Sequence, residues 1–135
     1  MLPEMTVLHG DCLRIMREWP DNYCDWVITD PPYGMGAGKL NALRGKAGRP
    51  GMRSRDYGGF TWDDSRPSAE HFAELLRVSR QQAIFGGNFF ADLLPPTRCW
   101  VVWDKGQRCD FADCELMWTS LDARRGCLTT TPAAV

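Results

Sequence analysis

Asp25-Trp26-Val27-Ile28-Thr29-Asp30-Pro31-Pro32-Tyr33-Gly34 is the stretch from which the fold is read. Val27 and Ile28 favour a buried strand, and Pro31 and Pro32 have no backbone N–H to offer a sheet, so the ladder must stop at Asp30. Asp30 and Tyr33 are thereby held at a strand's carboxyl end, the edge of an open α/β sheet where ligands bind. An ordinary strand followed by a proline turn would use the same residues for structure alone.

At 135 residues the chain has the size of one domain, large enough for a core but small for a complete cofactor-dependent enzyme. A hydrophobic content of 44% with 24% charged residues fits a soluble globular protein, and no apolar run approaches the roughly 20 residues that span a bilayer. The opening Met1-Leu2-Pro3-Glu4-Met5 lacks the basic and apolar regions of a secretory signal, so a cytoplasmic location is expected. Cys12, Cys24, Cys99, Cys109, Cys114 and Cys127 include no Cys-x-x-Cys pair, which favours free thiols over a zinc site or a disulfide framework; no metal is expected.

The net charge of -1 hides an uneven distribution. Residues 34–59 hold six bases (Lys39, Arg44, Lys46, Arg49, Arg53 and Arg55) against Asp56 alone, giving +5 there and -6 elsewhere. Eight glycines and few large apolar residues make this segment a flexible loop rather than core. Gly34-Met35-Gly36-Ala37-Gly38-Lys39 fails the phosphate-loop pattern, since its glycine spacing is wrong and Leu40 follows the lysine. Two readings remain open: a loop that orders against a nucleic-acid backbone, and a solvated insertion.

Along the chain, residues 5–9 read as a short strand, after which Asp11 can cap a helix running from 12 to about 19, with Leu13 and Met16 as its buried stripe. Ser68 is placed to cap a second helix carrying Phe72, Leu75, Leu76 and Val78 near helical spacing. Residues 82–87 read as a buried strand ending in Gly86-Gly87, with Asn88 capping a short helix through Leu94. Residues 99–105 and 115–120 supply two more strands. The alternation predicts an α/β fold with a parallel sheet and right-handed crossovers. No amphipathic period continues past Asp122, so 123–135 is set apart as an atypical, disordered tail.

The quartet Asp30-Pro31-Pro32-Tyr33 resembles the catalytic motif of the amino-group DNA methyltransferases, and the similarity extends from about His9 to Asp122. Members with aspartate at the first position are mostly adenine enzymes. The resemblance implies an S-adenosylmethionine-dependent, Rossmann-like sheet of the circularly permuted type, with helices on both faces and incomplete on its C-terminal side, within residues 1–122. It implies that Asp11 contacts the cofactor's adenine ring, with Cys12 and Asp30 beside it, although Asp11 serves equally as a helix cap. Trp103, Lys105 and Phe111 become candidates with Tyr33 for a base pocket, core packing being the other role open to Trp103. DNA is the implied partner. The glycine-rich Phe-x-Gly-x-Gly segment of such enzymes does not occur after Trp118, and the loss of the two strands that accompany it would leave one side of the Asp30 strand exposed to self-association or to a second chain completing the sheet. An adenine methyltransferase of a restriction or regulatory system, an inactive truncated form, a DNA-binding module without catalysis and a cytosine amino-group enzyme all suit these residues.

Overall fold

A computed structural model describes residues 5–36, 61, 63–104 and 114–122, and the backbone of 128–130. Its elements are α1 (Cys12–Arg17), β1 (Cys24–Thr29), α2 (Ala69–Val78), β2 (Ser79–Phe85), a 3-10 turn (Gly87–Phe90), β3 (Trp100–Asp104), β4 (Cys114–Thr119) and β5 (Leu128–Thr130). The strands form one sheet in the order β1-β2-β4-β3-β5. β1 pairs with β2 in parallel, β4 runs antiparallel to both β2 and β3, and β5 is parallel to β3. β1, β2 and β3 therefore point the same way, and their carboxyl ends share one edge of the sheet. The sheet is mixed rather than parallel as the alternation predicts, because β4 returns between β2 and β3. β5 lies in the tail that shows no sequence periodicity, and the basic segment from 37 onward lies outside the described residues.

α1 begins where Asp11 accepts the Leu13 N–H at 2.9 Å, the capping expected of an aspartate at this position. It ends two residues earlier than its apolar spacing suggests, and Arg77 of α2 is one reason. Its guanidinium donates to the carbonyls of Met16 at 2.9 Å and Trp19 at 2.8 Å, and to the carboxylates of Glu74 and Asp21. The Met16 carbonyl also accepts the Trp19 N–H at 3.1 Å, so Arg77 adds a second donor there and ties the chain just past α1 to the neighbouring helix. Asn22 turns the chain with a φ of 57°, and its N–H donates to the Arg77 carbonyl at 2.9 Å. Replacing Arg77 with alanine is expected to release α1: amide exchange at residues 15–22 should accelerate more than exchange in β2, with a lower melting temperature. Uniform acceleration across the chain would contradict this local role.

The core explains where the helices lie. Phe72 and Leu75 of α2 pack with Ile84, Phe90, Leu94 and Trp118, and Val27, Tyr33 and Trp100 adjoin them. Ile84 lies opposite Trp118, and Trp118 opposite Trp100, so these strand residues share a face, the one α2 covers. α1 packs on α2. The described helices consequently occupy one face of the sheet, which corrects the expectation of helices on both. α2 reaches that face as the crossover between the parallel neighbours β1 and β2, and α1 packs beside it with Met16 against the core. On the opposite face Trp26 and Ile28 of β1 are exposed, and β1 stands at the sheet's edge.

Residues 5–9 form no strand; Met5 and Val7 are 88% and 82% exposed. Alternating apolar residues make a strand only when a neighbour supplies the ladder, and here none of the described strands does. The helix anticipated from Asn88 is instead a 3-10 turn entered through Gly86, whose φ of 64° is left-handed. Ser68 makes no side-chain cap to α2; its hydroxyl pairs with Nδ1 of His71 at 3.0 Å. Among the described residues no helix is long and apolar enough to cross a membrane.

Candidate active site

Asp30 follows directly on β1, at the carboxyl edge, as its sequence context predicts. The Tyr33 hydroxyl donates to its Oδ1 at 2.7 Å. Burial of the Tyr33 ring, and then the hydrogen bond and charge of Asp30, push its pKa well above the ordinary tyrosine value, so the hydroxyl stays a neutral donor. The backbone turn through Pro31 and Pro32 is fixed from a distance. Asp63, only 4% exposed, accepts the Gly34 N–H on its carboxylate at 3.0 Å and the Gly36 N–H on its carbonyl at 2.8 Å. Gly34 adopts a φ of 74°, and a Cβ there would stand 2.9 Å from the Arg66 nitrogen. Asp63 is thus a positioning residue that the sequence reading left unassigned; a carboxylate following an aromatic-rich segment was its only signal.

Three residues of the turn after β2 lie close against the ring of Tyr33, which also adjoins the core. Phe89 stacks on it with centroids 4.7 Å apart and planes inclined by 19°. Phe90 meets it edge-on at 6.1 Å. Gly86 approaches so closely that a Cβ would lie 2.2 Å from Cε1 of the ring. The carboxyl ends of β1 and β2 thus assemble an acceptor, a donor and an aromatic platform in one place. Phe89 and Gly86 were not anticipated, because two adjacent aromatics in sequence do not reveal which one is buried.

The other predicted site residues are more dispersed. Trp103 lies near the end of β3 on the same edge of the sheet and is 45% exposed, which excludes the buried-core role. Two strands intervene, so at about 4.8 Å per strand step β3 runs roughly 14 Å from β1. Lys105 and Phe111, and the bases Lys39, Arg44, Lys46, Arg49, Arg53 and Arg55, lie outside the described residues. Asp11 and Cys12 are exposed at the head of α1. Together with His71 they bring one ligand atom each within 4.8 Å of one another. One Asp11 carboxylate oxygen already accepts the Leu13 N–H, and exposed groups of this kind are common on protein surfaces without an ion. That oxygen is committed to the cap of α1, and Asp30 presents an exposed carboxylate, a negative charge of the kind that suits a cationic ligand. Cys12, Cys24, Cys99 and Cys114 are free thiols. A cleft of about 400 Å³ lined by Leu76, Gln82, Pro95, Arg98 and Trp118 includes none of these candidates.

No protein-family profile matches the chain. Over 29 residues, 22% of the chain, it is 48% identical to an Escherichia coli (strain K12) protein named "Putative methylase YubD". That match spans 13% of the relative's length. The similarity supports a general relationship to methylases, carried by a segment and not by the whole molecule.

Proposed function

We propose that the chain is an amino-group DNA methyltransferase that transfers a methyl group from S-adenosylmethionine to the exocyclic nitrogen of adenine. The observation that carries this reading is the Asp30–Tyr33 pair, a carboxylate and an aromatic ring fixed at the carboxyl end of β1. An exocyclic amine is a poor nucleophile because its lone pair is delocalised into the base. Asp30 accepts one amine hydrogen bond and the Pro31 carbonyl a second, which makes the nitrogen more pyramidal and stabilises the positive charge that develops on it. The cofactor supplies an electrophilic methyl group when bound; Asp11 and Cys12 would hold its adenosine end and Asp30 would favour its positive sulfur.

The target amine is out of reach inside a stacked duplex, so the base must be extruded, at a cost of a few kcal/mol. Tyr33 offsets part of it, since stacking a base on an aromatic ring is worth about 1–3 kcal/mol. The basic segment from Lys39 to Arg55 would hold the phosphate backbone. Self-association along the side of β1 that pairs with no described strand, or a second chain pairing there, belongs to the same reading. Incubating the chain with labelled S-adenosylmethionine and unmethylated DNA, followed by nucleoside analysis, tests it. N6-methyladenine is the expected product. N4-methylcytosine would move the assignment to the cytosine enzymes, and DNA binding without transfer would favour a non-catalytic module.

A further inference from the structure

Three groups bound the ring on which an extruded base would stack, and they differ in one respect. Phe90 is fully buried and Gly86 is buried backbone, whereas the Phe89 side chain is exposed at 38%. We infer that Phe89 is a stand-in for the extruded base: its ring covers the stacking face of Tyr33 until a base displaces it. This rests on the reading of Tyr33 as the stacking platform.

The spacing makes displacement necessary. A base held between two rings needs about 3.5 Å on either side, so roughly 7 Å between their planes, while the Tyr33 and Phe89 centroids are 4.7 Å apart. No base fits between them as they stand. Phe90 cannot yield, because it packs against Phe72 with centroids 4.9 Å apart inside the core. The backbone of Phe89 cannot yield readily either. Its N–H donates to the Gly86 carbonyl at 2.8 Å, and its carbonyl accepts from Arg66 at 3.0 Å, with Arg66 itself paired to Asp92. What remains movable is the side chain, which can rotate into solvent while the turn stays in place. Phe89 would lower affinity for the base without touching it in the bound state, making it a positioning residue and not a catalytic one.

A DNA duplex with one 2-aminopurine opposite an abasic site provides the measurement, the change in its fluorescence reporting transfer of the probe base to Tyr33. The full chain and three variants are titrated: Phe89→Ala, Phe89→Trp and Tyr33→Ala. Phe89→Ala is expected to bind the probe about two- to tenfold more tightly, the range that corresponds to one aromatic stack, and Phe89→Trp more weakly than the unaltered chain. Tyr33→Ala should lose the fluorescence change. If it does so while Phe89→Ala is unchanged or weaker, Phe89 is no stand-in and the Tyr33 reading survives. If Tyr33→Ala leaves the signal intact, or no signal arises with any chain, both fail. Circular dichroism confirms that each variant is folded, which the exposure of Phe89 leads one to expect of its two variants.

Discussion

Asp30→Ala is expected to abolish methyl transfer while leaving the fold in place. The carboxylate is exposed and forms no part of the core, so its removal creates no cavity. Its partner, the Tyr33 hydroxyl, regains access to water and does not become an orphaned buried donor. The reaction loses the group that accepts an amine hydrogen bond and stabilises the developing positive nitrogen. Deleting a single electrostatic contact of this kind costs about 10²–10³ in kcat, and here the amine also loses the acceptor that makes it nucleophilic. Asp30→Asn retains an acceptor oxygen without the charge and should fall between the two. The titration of Tyr33 offers a check that needs no activity. Its raised pKa contributes stability below the ordinary tyrosine value of about 10, and that contribution is lost as pH rises above it. Burial is the larger cause and survives the substitution; the hydrogen bond and charge of Asp30 do not. Tyrosinate absorbance in Asp30→Ala should therefore appear at lower pH than in the unaltered chain, but still above that of free tyrosine. Full transfer activity in the alanine variant would remove Asp30 from the chemistry.

The strand ending at Asp30 was legible because two local signals coincide there, β-branched residues followed by two residues that cannot donate to a ladder. α2 was legible for a similar reason: Phe72, Leu75 and Val78 repeat at helical spacing and all three are buried. The direction of β4 was not read, although a signal existed. Only nine residues separate Asp104 from Cys114, too few for the crossover that a parallel neighbour requires. Residues 5–9 misled because strand formation depends on a pairing partner elsewhere in the chain, which alternating apolar residues cannot specify. The site divides in the same way. Asp30 and Tyr33 stand in one motif, whereas Asp63, Gly86 and Phe89 join them only through tertiary structure.

The two glycines that follow β2 should respond to alanine in different ways, and the contrast separates what holds the fold from what holds the site. A Cβ on Gly87 would lie 2.4 Å from the Cβ of Trp118 and 3.1 Å from its backbone nitrogen. Neither atom can swing aside, since Trp118 is 2% exposed in the centre of the core and its indole N–H donates to the Pro95 carbonyl at 3.0 Å. The turn or β4 must therefore shift as a whole. Overpacking costs about 1–3 kcal/mol where side chains can adjust and more where they cannot, a large share of the roughly 5–15 kcal/mol that holds a domain folded. Gly87→Ala should lower the melting temperature by about 10 °C or more, or prevent folding. Gly86→Ala meets a different obstacle, the ring of Tyr33, which is only half-buried and can tilt outward. Its left-handed backbone adds a strain of about 1–2 kcal/mol. This variant should fold, melt several degrees lower, and lose the Tyr33–Asp30 hydrogen bond, seen as tyrosinate forming at lower pH. Equal losses of stability in the two variants would mean that Tyr33 is held as rigidly as Trp118, and that the aromatic platform is part of the core.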